Sequence, residues 1–147
     1  MDIRVQDSPF EFGREADEFA RSHNQMGAVV TFTGIVRDLP DGGLDRMEIE
    51  HYPGMTERAL ATQAEAATER FKLGDVLVIH RHGILRPGEL IMMVATAARH
   101  RGDAFAGAEF LMDYLKSRAP FWKKEFTRDG AEWVAAKDAD EDALSRW

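Results

Sequence analysis

The chain is punctuated so often that few architectures remain open to it. Arg86-Pro87-Gly88 separates two β-rich runs, Asp75 to His82 and Glu89 to Ala98, and reads as the turn between hairpin partners. Arg128-Asp129-Gly130 does the same between Phe121 to Thr127 and Ala131 to Ala136. Pro53-Gly54 ends a strand over Leu44 to His51, in which Met47, Ile49 and His51 alternate with Glu48 and Glu50. Gly27 to Val36 is a further strand by its β-branched content, and Asp38 to Gly43 after it is a breaker-rich, mobile loop.

Helices fall between these strands. Ser8 caps a first one that runs to about Arg21, with Pro9 in its opening turn. Thr56 to Phe71 is Ala-rich and stops before Gly74. Asp103 to Arg118 places Phe105, Ala108, Met112 and Leu115 on one stripe, and Pro120 ends it. A short acidic helix closes the chain. Hairpins interleaved with helices, without repeats or linkers, predict one α+β domain over residues 1–147 on an antiparallel or mixed sheet.

Composition removes several function classes. The longest uncharged apolar run, Leu90 to Ala98, is well short of the ~20 residues of a membrane helix. Met1-Asp2-Ile3-Arg4 lacks the layout of a secretion signal, so the expectation is a cytoplasmic protein. There are no cysteines, which excludes a disulfide framework, a thiolate metal site and any cysteine nucleophile or persulfide. A net charge of −7 speaks against nonspecific nucleic-acid or membrane binding. Yet Arg99 to Arg128 holds seven Lys/Arg against four Asp/Glu, a +3 segment in a chain whose remainder is −10. That segment is either an anion site or a solvated helix face.

Two lysines carry the strongest chemical interest. At ~100° per residue Lys116 lies about 20° around its helix from Phe105, at the rim of the apolar stripe. Partial desolvation there would lower an ammonium pKa and free an amine as nucleophile or base; the plain alternative is a snorkelling lysine paired with Asp113. On the strand after Pro120, alternation puts Phe121, Lys123 and Glu125 on one face and Trp122, Lys124 and Phe126 on the other, without choosing between the lysines. His100-Arg101 sits at a strand end before a helix N-terminus, an arrangement suited to phosphate. Arg37 closes its strand at the Gly/Pro loop and has the same two readings. His80 and His82 lie two apart on one strand face, but no third ligand accompanies them and no metal site or cofactor is expected.

These segments together resemble the large, catalytic subunit family of molybdopterin synthase. The resemblance rests on Gly27 to Gly34 with Val36-Arg37, Glu50-His51-Tyr52-Pro53-Gly54-Met55, and Val78-Ile79-His80-Arg81 with Gly83. It continues through His100-Arg101 with Ala104-Phe105, Met112-Asp113-Tyr114-Leu115-Lys116, and Ala119-Pro120-Phe121-Trp122-Lys123 with Glu125. The family implies an α/β hammerhead-like domain with an added antiparallel sheet. It implies sulfur transfer to cyclic pyranopterin monophosphate, forming the dithiolene of molybdopterin. The sulfur arrives as a thiocarboxylate on the C-terminal glycine of a small ubiquitin-like partner, in a heterotetramer built around a large-subunit dimer.

Carried over by motif position, the catalytic pair is Lys116, meeting the thiocarboxylate, and Lys123, its acid–base or anion-stabilising companion. Arg37, His100 and Arg101 bind phosphate and pterin, and Glu125 orients Lys123. Lys137 stands where the family often has arginine and keeps the charge without the bidentate fork. Asp103 puts a negative charge beside the expected phosphate site unless it caps the helix. Two rival readings are a non-catalytic adaptor for a ubiquitin-like tail, which would not need both lysines, and an RNA or nucleotide binder, which the charge and the lack of a stacking motif oppose.

Overall fold

A computed structural model describes residues 1–135 and 138–147. The element order is β1 (Asp2–Gln6), α1 (Phe12–Arg21), β2 (Ala28–Ile35), β3 (Arg46–His51), α2 (Met55–Phe71), β4 (Leu73–Arg81), β5 (Gly83–Leu85), β6 (Leu90–Ala98), α3 (Arg101–Ser117), β7 (Phe121–Thr127), β8 (Gly130–Trp133) and α4 (Asp138–Leu144). The strands form two four-stranded sheets, ordered β1-β4-β6-β2 and β5-β3-β7-β8. Among the described residues only β1 and β4 run parallel, and every other pair is antiparallel. This is the expected α+β architecture with its additional antiparallel sheet.

Strands β4 and β6 form the centre of the first sheet, and helices cover both of its faces. Val76, Val78, Met92 and Val94 pack toward α2 and α3, whereas Leu77, Ile79, Met93 and Ala95 pack with Phe10 and Phe19 around α1. Hence β4 is apolar nearly throughout and does not alternate with polar residues as a half-exposed strand would. The Arg86-Pro87-Gly88 turn is present, but the chain first makes a detour. Gly83, at φ +89°, bends it out of the first sheet so that β5 can pair with β3 in the second. The short β5 has no counterpart in the sequence reading.

Other boundaries shift for local reasons. Helix α1 begins at Phe12 rather than after Ser8, because the amide of Gln6 donates to the Ser8 hydroxyl and backbone carbonyl and holds that serine in a turn. In α3 the buried face is Ala104, Gly107, Ala108, Leu111 and Leu115, while Phe105 is 61% exposed. The helix approaches β4 so closely that a Cβ at Gly107 would sit 2.8 Å from a Leu73 methyl, so small residues define the contact. The Thr96 hydroxyl donates to the Ala104 carbonyl at 2.7 Å and fixes the start of α3 on β6. Among the described residues no helix is long and apolar enough to cross a membrane.

Candidate active site

A cleft of about 760 Å³ opens where the two sheets and α3 meet. Met112, Leu115 and Lys116 of α3 line one side, Lys123 and Glu125 of β7 another, and Arg37 to Pro40 the rim. His80, Met92 and Gly34 contribute from the first sheet. A second cavity of about 800 Å³ lies between residues 39–43 and the β7–β8 hairpin, without either cleft lysine in its lining.

Three local devices position the cleft residues. Thr56, fully buried at the start of α2, accepts from the Tyr52 amide at 2.9 Å and donates to the Pro120 carbonyl at 3.3 Å, fixing the entry to β7. Asp38 Oδ1 accepts from the amides of Leu39 (2.7 Å) and Leu44 (3.0 Å) and closes the loop that follows Arg37. The Val36 amide donates to the Glu89 carbonyl at 2.9 Å, which carries the β2 pairing up to Arg37.

The desolvated amine is Lys123. Burial, then the nearby Lys116 charge, push its pKa down to about 8 against a smaller opposing pull from Asp140 of α4. Lys116 is exposed rather than held at a buried rim. It is not paired with Asp113 either, whose carboxylate meets Arg146 at 3.3 Å and the Trp147 indole. Lys124 turns to the opposite face of β7 and lies over the rings of Trp133 (5.1 Å) and Phe126 (5.6 Å). The structure therefore makes the choice between adjacent lysines that alternation left open. Glu125 shares the wall with Lys123, but among the described residues no ion pair joins them; Asp140, which the sequence reading missed, is the acid that acts on Lys123.

His80 was read only as half of an unconvincing metal pair. It does not share a face with His82, because β4 ends at Arg81 and the His82 ring lies 4.1 Å from that of His51. His80 is instead 2% exposed and stacked on Phe121, and burial together with the Lys123 charge depresses its pKa to about 3. Among the described residues no group of three or more His, Asp or Glu is placed to hold a metal.

His100 and Arg101 are elsewhere. They are exposed at the N-terminus of α3, with His100 in the cap position and Asp103 within the first turn, not capping. Ala98 pairs with Ala28, whereas Glu89 pairs beside Val36, so this pair and Arg37 stand at opposite ends of β6, on the order of 30 Å apart. Lys137 lies outside the described residues.

A cysteine-free α+β fold here gathers two amines and an arginine in one cleft, a set of donors suited to anionic groups. The chain belongs to the MoaE protein family, whose family model matches residues 5–118. It is 69% identical over 147 residues to a molybdopterin synthase catalytic subunit of Cereibacter sphaeroides, covering 100% of both chains. Among solved structures it resembles the molybdopterin biosynthesis MoaE protein from Burkholderia ambifaria, with a TM-score of 0.85 and 50% identity over 99% of this chain and 97% of that one. It also resembles molybdopterin synthase from Staphylococcus aureus, with a TM-score of 0.81 and 28% identity over 90% and 96%.

Proposed function

We propose that the chain is the catalytic subunit of a molybdopterin synthase. It moves sulfur from the thiocarboxylated C-terminal glycine of a small ubiquitin-like partner onto cyclic pyranopterin monophosphate, building the dithiolene in two transfers. The observation that carries this reading is the pairing of Lys116 and Lys123 in one cleft, with Lys123 desolvated and its pKa near 8. A tail-binding adaptor would have no use for a depressed amine. With no cysteine in the chain, the sulfur must come from outside, as a carrier's thiocarboxylate provides.

The roles follow from charge and protonation. Exposed Lys116 at the cleft mouth pairs with the incoming thiocarboxylate anion. Each transfer forms a carbon–sulfur bond at the pterin as a substrate oxygen leaves, and water then cleaves the acyl–sulfur bond to return the carrier as a carboxylate. Lys123, neutral in roughly a tenth of molecules at pH 7, takes the proton of that water. Arg37 meets the substrate phosphate from the rim, and Glu125 holds the opposite wall. His100 and Arg101 reach such a site only from a second copy of the chain, across a dimer at the centre of a heterotetramer. Val29 (37% exposed), Phe32 (42%) and Ile35 (59%), on the edge strand β2, supply apolar surface for such a contact. The compartment on this reading is the cytoplasm.

The test is reconstitution. The chain, a thiocarboxylated carrier and the cyclic pterin are mixed, and dithiolene product is assayed. Lys116→Ala and Lys123→Ala should each abolish product while carrier binding persists; near-normal turnover in either removes that lysine from the mechanism.

A further inference from the structure

His80 is fixed more rigidly than a packing residue requires. Its ring lies on Phe121 with 3.7 Å between centroids and 15° between planes. Its Nδ1 sits 2.8 Å from the Arg81 carbonyl, which can only accept, so Nδ1 carries the proton and Nε2 is left as a bare acceptor. The Arg81 guanidinium is itself tied to the Asp7 carbonyl (2.8 Å) and to Glu89 (3.1 Å). His80, Met92 and Gly34 form one row across β4, β6 and β2, facing the cleft that all three line. With Nδ1 engaged, the nitrogen this buried ring offers the cleft is Nε2, and it has no hydrogen-bond partner among the described residues.

The other groups in the cleft differ from that acceptor in kind: the Thr33 hydroxyl can donate as well as accept, and Glu125 brings a charged carboxylate. Lys116, Lys123 and Arg37 only donate, which suits phosphate and thiocarboxylate oxygens and sulfur. One oxygen of Asp38 is spent on two backbone amides. A pterin, however, presents ring N–H and amino donors that need an acceptor, and His80 Nε2 is a neutral one whose ring is held in a fixed orientation. An uncharged imidazole stays available. We infer that His80 Nε2 accepts a hydrogen bond from a ring N–H or amino group of the bound pterin and so sets which edge of the heterocycle enters the cleft. This rests on the reaction proposed above and adds a specificity-determining residue to it.

The experiment titrates cyclic pyranopterin monophosphate into the unaltered protein, His80→Phe and His80→Gln. Phenylalanine keeps a flat ring to stack on Phe121 and loses the acceptor; glutamine returns a carbonyl oxygen near the same place. Pterin affinity should fall about tenfold or more in His80→Phe and largely recover in His80→Gln, with carrier affinity unchanged in both. In the unaltered protein, labelled with ¹⁵N at histidine, the Nε2 resonance should shift on pterin binding as its lone pair accepts. Pterin affinity within twofold of the unaltered protein in His80→Phe overturns the inference. So does an unmoved Nε2 resonance, which decides the matter should the phenylalanine variant fail to fold. If the unaltered protein and its carrier never consume the pterin, the reaction reading itself fails; consumption with intact pterin binding in His80→Phe removes only the role of His80.

Discussion

Thr56 and Pro120, 64 residues apart, are joined by a hydrogen bond of 3.3 Å from a fully buried hydroxyl to a backbone carbonyl. The same oxygen receives the Tyr52 amide, so one side chain ties the start of α2 to the strand that carries Lys123. Thr56→Val keeps the shape and strands both backbone groups. Unfolding in urea should show a loss of about 1–3 kcal/mol, and turnover should fall by more than partner binding does. A variant as stable and active as the parent would show that β7 is placed without this bond.

The depressed pKa of Lys123 has two consequences of opposite sign. Its folded pKa of about 8 lies below its unfolded value, so between pH 8 and 10.5 the unfolded chain binds more protons and stability rises with pH across that window. Below pH 8 the folded state carries the full penalty. Lys123→Met should therefore stabilise the protein at pH 7, on the order of 2 kcal/mol, while abolishing turnover. Thermal melts of both proteins from pH 7 to 10.5 check it: the two curves should converge as pH rises, and parallel curves would refute the assignment.

Turnover itself should climb with pH through about 8, where the Lys123 amine becomes neutral. Asp140 opposes that neutralisation, so Asp140→Asn should move the rise to lower pH. Trp147→Ala should act the same way. Its indole is wedged against Phe71 and Phe110, each at 5.5 Å, and anchors the chain just after α4. Pre-steady-state rates against pH decide the point, and an unmoved midpoint in Asp140→Asn would exclude this control.

Arg37 and Arg101 stand at opposite ends of β6 within one chain, so a site that needs both is completed by a second copy. Lys116→Ala and Arg101→Ala proteins, each inactive, should regain partial activity when their subunits exchange, because hybrid dimers hold one intact site. Exchange shown by mass difference without any recovery would place the whole site in one chain.

Much of this was readable from residue order, and the failures have a common cause. The hairpins at Arg86-Pro87-Gly88 and Arg128-Asp129-Gly130 announce themselves because a tight turn is local chemistry. On α3 the spacing finds Ala108 and Leu115 of the buried face but puts Phe105 on it, because a large apolar side chain outweighs the small Ala104 and Gly107 that meet the sheet. Lys123 and Lys124 could not be told apart, since alternation gives two faces and only the other sheet says which is inward. For the same reason helix spacing leaves Lys116 open between a desolvated and a snorkelling amine. His80 shows in the sequence only as half of an unconvincing metal pair, because its ring tautomer depends on a carbonyl, and its stacking on a strand 41 positions later, neither of which spacing can report.

The bend at Gly83 makes the two sheets inseparable in folding. Between β4 and β6 the chain crosses into the other sheet and back, so one continuous stretch of chain belongs to both sheets. Loss of structure should be all-or-none, with the fluorescence of Trp122 and Trp133 in the second sheet changing at the same denaturant concentration as the circular dichroism of the helices against the first.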